Sequence, residues 1–202
     1  MKIMTAAAAL LALSLVPLAF SLVPLAFSLV PLAFSLVPMT VHAQDNDISK
    51  KLVNSPNAAS WIAYGNQNSK QIKDPTVQGG GAFEVQVTSP GPQPYTTAAQ
   101  QDLIAPIKKG DKLIVVLWMK AAASATSPAP LHVRMQVNSG NYDGILDSDV
   151  GVTNAWDRYV VQGVSAADHP KGSAVLMVQL GQAKQTIDFG PAFVLDMGPD
   201  AQ

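Results

Sequence analysis

The stretch LHVRMQVNSGNYDGI, from Leu131 to Ile145, decides the predicted fold. In its first half, apolar residues at positions 131, 133, 135 and 137 alternate with His132, Arg134 and Gln136. Because successive side chains of a β-strand point to opposite faces, this alternation predicts a strand with one buried face and one polar face. The segment NSGNYDG at 138–144 is rich in turn-forming residues and should end the strand.

Five further segments carry strand patterns, and clusters of Gly, Pro, Asn and Ser separate them. The segments are Ala82–Val87, Lys112–Met119, Trp156–Gln162, Ala174–Leu180 and Thr186–Leu195. Short β-rich runs divided by turn residues are typical of a β-sandwich or jelly roll. The helix candidates are short, at Ala98–Leu103 and Lys120–Ala125. The sequence therefore predicts an all-β fold.

The first 43 residues have the composition of a secretory signal peptide. Lys2 precedes a long run rich in Ala and Leu, and Val41-His42-Ala43 is similar to an A-x-A cleavage site. Within the run, SLVPLAF occurs three times in tandem, from position 14 to position 34. We expect cleavage after Ala43. A retained membrane anchor is the alternative, because the run exceeds the ~20 residues that span a bilayer.

The mature chain, Gln44–Gln202, is long enough for one domain with a real core. The full chain has 13 basic and 14 acidic residues, so removal of Lys2 leaves a formal charge of −2. This charge gives no support for binding to nucleic acid or, after cleavage, to a membrane. There is no cysteine, which fits a bacterial periplasmic or secreted protein held together by its core. We expect a flexible lead at 44–55 and a single domain at 56–198.

A series of segments between Trp61 and Leu195 follows the order of a known family pattern. The series is Trp61 with Gly65, GGAFEV at 80–85, QQDL at 100–103, KKGDKLIVVLWMKA at 108–121, VTNAWDRYVV at 152–161 and TIDFGPAFVL at 186–195. Taken together, these segments resemble carbohydrate-binding module family 4/9. The resemblance covers nearly the whole of the predicted domain.

The resemblance implies a galactose-binding-like jelly-roll β-sandwich that binds carbohydrate and has no catalytic activity. Related jelly rolls often hold a structural calcium near the first and last strands, which implies Asp188 as a metal ligand. No other cofactor is implied. Trp156 and Tyr159 match aromatic positions of the family and are expected to have structural roles.

The outward residues of three predicted strands are the candidate ligand contacts. With the aliphatic residues facing inward, the outward set is His132, Arg134, Gln136 and Asn138 from one strand, Glu84 from Ala82–Val87, and Gln179 from Ala174–Leu180. If the three strands are neighbours, these side chains gather on one concave sheet face and can hydrogen-bond sugar hydroxyls. A polar face that is only solvated is the alternative.

Aromatic residues beside this face are candidates for stacking on a sugar ring. Trp118 is predicted to point outward, where it could stack on a ligand, and packing in the core is the alternative. Tyr95 lies on the proline-rich loop at 89–101 and could stack or cover the loop's apolar residues. Tyr142 and Asn141 follow the polar strand directly. For Trp61 and Tyr64 both roles stay open.

Catalytic motifs are weak in this sequence. It has no G-x-S-x-G motif and no phosphate-binding loop. Glycoside hydrolysis needs two opposed carboxyl groups, and Glu84 is the only glutamate expected on the polar face. We therefore predict a secreted, non-catalytic carbohydrate-binding module. The alternatives are an envelope protein that binds a protein partner or a second copy of itself, and a small hydrolase that uses Glu84.

Overall fold

Ten β-strands make up most of the regular structure in the computed structural model, which describes residues 47–124 and 126–199. The strands are β1 Ile62–Tyr64, β2 Gln67–Lys73, β3 Gly81–Val87, β4 Ala98–Asp102, β5 Asp111–Ser124, β6 Ala129–Val137, β7 Gly144–Val152, β8 Asp157–Val164, β9 Ala174–Gln179 and β10 Gln185–Pro199. Short 3₁₀ helices lie at Ile48–Lys51, Ala58–Ser60 and Pro94–Thr96.

The strands form two antiparallel sheets of five strands each. The front sheet has the order β1-β4-β9-β6-β7, and the back sheet has the order β2-β3-β10-β5-β8. Apart from the consecutive pairs β2–β3 and β6–β7, neighbouring strands come from distant parts of the chain, as in a jelly roll. The predicted jelly-roll sandwich is therefore confirmed.

The core lies between the sheets and is built by the alternation seen in the sequence. On β5, Leu113, Val115 and Leu117 are each 0% exposed, and on β6, Leu131 and Val133 are at most 2% exposed. These residues belong to one continuous hydrophobic cluster. The predicted inward faces of β3, β5, β6 and β9 are thus confirmed, and each of these strands turns its remaining side chains away from the core.

Both helix predictions were wrong. The segment predicted as a helix at Ala98–Leu103 forms β4, which pairs with β1 on one side and β9 on the other. The residues up to Ser124 of the other candidate extend β5, and Ala125 lies outside the described residues. Alanine favours helix locally, but ladder partners on β9 and β10 decide the conformation of these segments.

The predicted lead at 44–55 differs from the structure over its second half. Leu52 pairs with Leu195 of β10, and Asn54 pairs with Leu103. Val53 and Asn54 are 4% and 2% exposed. The sandwich thus begins before position 56, because this segment closes an uncovered part of the core.

Asn54 ties this segment to both sheets. Its side-chain Nδ2 donates to Gln101 Oε1 of β4 at 2.7 Å and to the Ala192 carbonyl of β10 at 2.8 Å. Its Oδ1 accepts a hydrogen bond from the Val194 amide at 2.8 Å. One buried amide therefore satisfies three groups that would otherwise be unpaired in the core.

No helix among the described residues is long and apolar enough to cross a membrane. The predicted signal peptide, Met1–Ala43, lies outside the described residues.

We expect Asn54→Ala to lower the free energy of unfolding by about 3 kcal/mol, because it leaves several buried polar groups unpaired. Urea denaturation measures the loss. Asn57→Ala is the matched control, since Asn57 is exposed and its side chain bonds only Ser55 Oγ among the described residues. A similar loss in both variants would contradict the role assigned to Asn54.

Candidate functional site

A cleft of about 690 Å³ lies on the outer face of the front sheet. Outward side chains of β4, β6 and β9 form its floor. Tyr64 of β1 and the Pro94–Thr96 helix stand at one side, and the β6–β7 loop stands at the other. The lining residues are Tyr64, Tyr95, Gln100, Arg134, Gln136, Asn138, Asn141, Tyr142, Val175, Met177 and Gln179.

Strand β9 supplies the centre of the floor and is buried on both faces. Leu176 and Val178 point into the core and are 0% exposed. On the opposite face, Val175, Met177 and Gln179 are 3%, 4% and 8% exposed, because the cleft walls rise around them. Val175 and Met177 also cluster with Ala98 of β4. The floor is thus apolar at its middle and polar at the side where Gln179 lies.

Three glutamines present side-chain amides to the cleft. Gln136 on β6 and Gln179 on β9 are each 8% exposed, and Gln100 on β4 is half-buried. None of the three amides hydrogen-bonds another residue within 47–124 or 126–199. A buried amide without a partner is costly, so these groups are available to hydrogen-bond a polar ligand.

Tyrosine rings rise on both sides of the floor. Tyr95 and Tyr142 are each 55% exposed, and Tyr64 is 39% exposed. The Tyr64 hydroxyl donates to Met177 Sδ at 3.6 Å. Burial, and to a smaller extent the neighbouring Tyr142, raises the pKa of Tyr64, so this phenol stays neutral. The walls therefore offer flat, uncharged ring surfaces.

Tyr95 is fixed by a close approach between two backbone segments. The Gly181 amide, just after β9, donates to the Pro94 carbonyl at 2.8 Å. A Cβ atom at position 181 would lie only 2.8 Å from that carbonyl oxygen and 2.7 Å from Thr96 Oγ1. Glycine at 181 is thus required for the Pro94–Thr96 helix to stand beside the cleft.

The Arg134 guanidinium bonds to residues of the cleft wall and of β7. Its Nη2 donates to the Tyr142 carbonyl at 3.0 Å, and its Nη1 lies 3.2 Å from Asp147 Oδ1 of β7. Tyr142 has φ of 55° and lies at the top of the β6–β7 loop. The guanidinium therefore fixes the segment that carries the Tyr142 ring. The sequence predicted Arg134 as a direct ligand contact, and the structure adds this supporting role.

His132 lies on the same outward face but turns toward β7 and does not line the cleft. Its Nδ1 is 2.7 Å from Asp149 Oδ1, and its Nε2 is 2.9 Å from Asp147 Oδ1. Partial burial alone would lower the pKa of His132, but the two aspartates together outweigh it and raise the pKa above its ordinary value. The two carboxylates therefore favour the protonated form of His132.

The expectation that Glu84 and Trp118 share a face with Arg134 was wrong. Both residues lie on the back sheet, because β3 pairs with β2 and β10 rather than with β6 or β9. Glu84 makes an ion pair with Lys70 at 3.0 Å. The Trp118 ring packs edge-on against Phe193, with the centroids 5.7 Å apart. Alternation predicted that both side chains point outward, but it does not tell which of the two sheets carries a strand.

Asp188, the metal ligand implied by the resemblance, is 2% exposed on β10. Lys120 Nζ lies 3.2 Å from its Oδ2 and 3.1 Å from Asp74 Oδ2. Burial raises the pKa of Asp188, against the smaller opposing effect of Lys120. Within the described part of the chain, no three His, Cys, Asp or Glu side chains converge on a metal position. Calcium binding at Asp188 stays a prediction.

The structure brings together seven of the predicted candidates: Arg134, Gln136, Asn138, Gln179, Tyr95, Asn141 and Tyr142. It adds Gln100, Val175 and Met177, which the sequence analysis missed. Gln100 fell in a segment predicted as helix, so its direction was not available. The continuous apolar run around Val175 and Met177 was the available signal, since it is typical of a strand covered on both faces.

Among the other aromatic residues, Trp61 is buried and Tyr64 lines the cleft. Trp61 stacks against Phe189 at 4.9 Å between centroids and donates to the Gly190 carbonyl at 2.9 Å. Trp156 donates to Asp74 Oδ2, and the Tyr159 hydroxyl accepts from the Thr153 amide. Trp61, Trp156 and Tyr159 thus stabilise the fold.

Comparisons with known proteins agree with this architecture. The family model described as Carbohydrate binding domain, for modules of family 4/9, matches residues 45–185. No curated protein sequence matches the chain. A carbohydrate-binding module of family 4 has 17% identity and a TM-score of 0.52, with 74% of this chain and 96% of that chain covered.

Two further solved structures are similar. The CBM22-1 xylan-binding domain from Paenibacillus barcinonensis Xyn10C has 15% identity and a TM-score of 0.51, with 75% of this chain and 94% of that chain covered. The arabinose-bound α-L-arabinofuranosidase MgGH51 has 18% identity and a TM-score of 0.54, with 72% of this chain covered. The match spans only 25% of the arabinofuranosidase chain. At these identities the likeness shows the fold.

We expect the His132 interactions to stabilise the fold in acid and not in alkali. The folded-state pKa is raised above about 6.5, so the contribution is complete below that pH and is lost as pH rises through the folded-state value. The difference in Tm between the wild type and His132→Gln should be largest near about pH 5.5 and smallest near about pH 9. Scanning calorimetry measures it, with His169→Gln as control. A difference that grows with pH would contradict this sign.

Proposed function

Because the chain belongs to the carbohydrate-binding domain family of modules 4/9, we propose that its front-sheet cleft binds a neutral oligo- or polysaccharide outside the cytoplasm, without catalysis. The observation that carries the proposal is the composition of the cleft. Side-chain amides that have no partner among the described residues lie on its floor, and tyrosine rings stand on its walls. In this proposal, the predicted signal peptide, Met1–Ala43, directs export of the chain.

The floor supports hydrogen bonding to hydroxyl groups. An amide carries two donors and an acceptor with two lone pairs, so it can bond adjacent hydroxyls of one sugar ring. Gln100 lies on β4, Gln179 on β9 and Gln136 on β6, and these three strands are adjacent in that order. They therefore offer fixed, closely spaced groups that have no competing partner among the described residues.

The walls and the middle of the floor support contact with the apolar faces of sugar rings. Tyr95 and Tyr142 present exposed rings on opposite sides, and Val175 and Met177 form the apolar strip between them. Burial of a tyrosine ring against the apolar face of a sugar stabilises the complex, while the phenol hydroxyl at the rim of the cleft remains hydrated. A saccharide lying across the strands would contact all of these surfaces.

The charge of the cleft favours a neutral ligand. Arg134 is the only charged residue among the described residues that line the cleft, and Asp147 already neutralises it. Asp147 and Asp149 stand just beyond the cleft on β7. An acidic sugar would gain no unpaired cation and would approach two carboxylates, so electrostatics discriminates against it.

The lining does not support hydrolysis. None of the described residues that line the cleft is an aspartate or a glutamate, whereas glycoside hydrolysis needs two opposed carboxyl groups. Glu84, the carboxylate of the hydrolase alternative, lies on the back sheet with Lys70. The geometry thus supports binding over catalysis.

We expect a glycan array to show retention on at least one neutral glycan and none on uronate-rich glycans. For the glycan retained, Gln136→Ala and Gln179→Ala should each raise Kd about fivefold to tenfold, equivalent to about 1 to 1.4 kcal/mol for a lost hydrogen bond. Tyr142→Ala should raise it by a similar factor through lost ring contact. Isothermal titration calorimetry measures these constants.

Gln86→Ala is the matched control, because Gln86 is an outward glutamine on the back sheet. It should leave Kd unchanged. Retention on no glycan, or equal effects of Gln86→Ala and Gln136→Ala, would overturn the proposed site.

A second candidate function, pairing of two copies of the chain, rests on the outer face of the back sheet. Val160 and Val164 on the edge strand β8 are 58% and 49% exposed, and half-buried Val116 and Phe193 continue the apolar surface across β5 and β10. Among the described strands, β8 pairs only with β5, so its outer edge can pair with the same strand of a second copy. The cleft on the front sheet would stay open in such a dimer.

If this face pairs two copies, size-exclusion chromatography with light scattering should give twice the monomer mass, and Val160→Asp should restore the monomer mass. Gln162→Asp adds the same charge to the same strand at an exposed polar position and should weaken the dimer less. A monomer at all concentrations would exclude this candidate.

A further inference from the structure

We infer that His132 is a positioning residue for the cleft: through Asp147 and Arg134 it holds the backbone of Tyr142, and loss of its proton loosens that wall. The consequence for ligand binding rests on the proposed carbohydrate site. The hydrogen-bond path itself can be tested without any ligand.

The path is continuous from the surface to the cleft. His132 Nε2 lies 2.9 Å from Asp147 Oδ1, and the same oxygen lies 3.2 Å from Arg134 Nη1. Arg134 Nη2 then donates to the Tyr142 carbonyl at 3.0 Å. Each link is a charge-assisted hydrogen bond or ion pair, and the last one fixes a residue of the wall.

The geometry at His132 favours the charged ring. Carboxylate oxygens lie 2.7 Å from Nδ1 and 2.9 Å from Nε2. A neutral imidazole has a single N–H and can donate to only one of them, whereas the imidazolium donates to both. Deprotonation therefore leaves one aspartate facing a ring nitrogen lone pair.

The charge balance explains how the wall responds. With His132 protonated, two cations, His132 and Arg134, face two carboxylates, Asp147 and Asp149. Without that proton, Arg134 is the only cation that pairs with Asp147 among the described residues. The guanidinium is then drawn toward β7 and away from the Tyr142 carbonyl, so the wall loses its anchor.

The surroundings of His132 contain few other titratable groups. Strand β7 contributes Asp147 and Asp149, and the strand of His132 itself contributes Arg134. On the opposite side, His132 pairs with Gln179, and Ala174–Gln179 carries no titratable side chain. Near neutral pH, the change in charge in this group is therefore the proton on His132.

The space around the path is tight. A Cβ atom at Gly144 would lie 2.5 Å from Asp147 Oδ2 and 3.0 Å from Arg134 Nη2. Glycine at this position lets the carboxylate and the guanidinium meet above the strand. Local packing as well as charge thus directs Arg134 toward the loop.

The ligand-free test follows the Tyr142 backbone amide, which donates to the Ser139 carbonyl within the loop. Hydrogen exchange by NMR, corrected for the intrinsic effect of pH, is measured between about pH 5.5 and pH 8.5 while the His132 ring signals report its titration. In the wild type, protection of Tyr142 should fall about fivefold as His132 loses its proton, a typical coupling between sites.

His132→Gln mimics the neutral ring and should show low protection of Tyr142 at every pH. Asp147→Asn, which removes the shared carboxylate charge, should also abolish the pH dependence. His169→Gln should keep the wild-type profile. Tyr142 protection that is constant while His132 titrates, or a wild-type profile in His132→Gln, would overturn the inference.

The binding test uses xylohexaose, a neutral oligosaccharide, at the two ends of this range, about pH 5.5 and about pH 8.5. Its Kd for the wild type should rise about fivefold from the lower to the higher pH and should stay constant for His132→Gln. A pH-independent Kd for the wild type would overturn the effect on binding. Absence of xylohexaose binding at both values would count against the proposed ligand, while Tyr142 protection still decides the role of His132.

Discussion

The alternation of side chains across each strand is the constraint on which the rest of this structure depends. Leu131 and Val133 must face the core, so Arg134 and Gln136 must face away from it. A shift by a single residue would bury a guanidinium between the sheets, at a cost of many kcal/mol. The aliphatic residues therefore place the polar residues of the cleft as firmly as they place themselves.

Much of the fold follows from this pattern, and so does the direction of most side chains in the cleft. Strands β3 and β6 were predictable from their alternation, and β5 and β9 from their continuous apolar runs. Strand β4 was not, since alanines carry little periodic signal and its strand form depends on β1 and β9. Glu84 shows the second limit: the phase of a strand gives its outward residues, whereas its sheet is chosen by distant pairing partners.

The floor and the walls of the cleft differ in how rigidly they are held. Its floor is rigid, since it belongs to strands that have neighbours on both sides. Its loop walls are held by a small number of polar contacts, among them the Arg134 bond to the Tyr142 carbonyl and the Gly181 bond to the Pro94 carbonyl. Binding groups on the floor are therefore pre-organised, while ring contacts at the rim depend on a few identifiable hydrogen bonds.

Burial of β9 on both faces has an evolutionary consequence. Val175 and Met177 line the proposed ligand surface on one side of a strand whose other side is the core, so exchanges there should alter specificity and thermal tolerance together. Exchanges of exposed side chains in the β6–β7 loop carry a smaller penalty, because these side chains lie outside the core. New preferences for saccharides should therefore arise first by diversification of that loop, with the strand beneath it preserved.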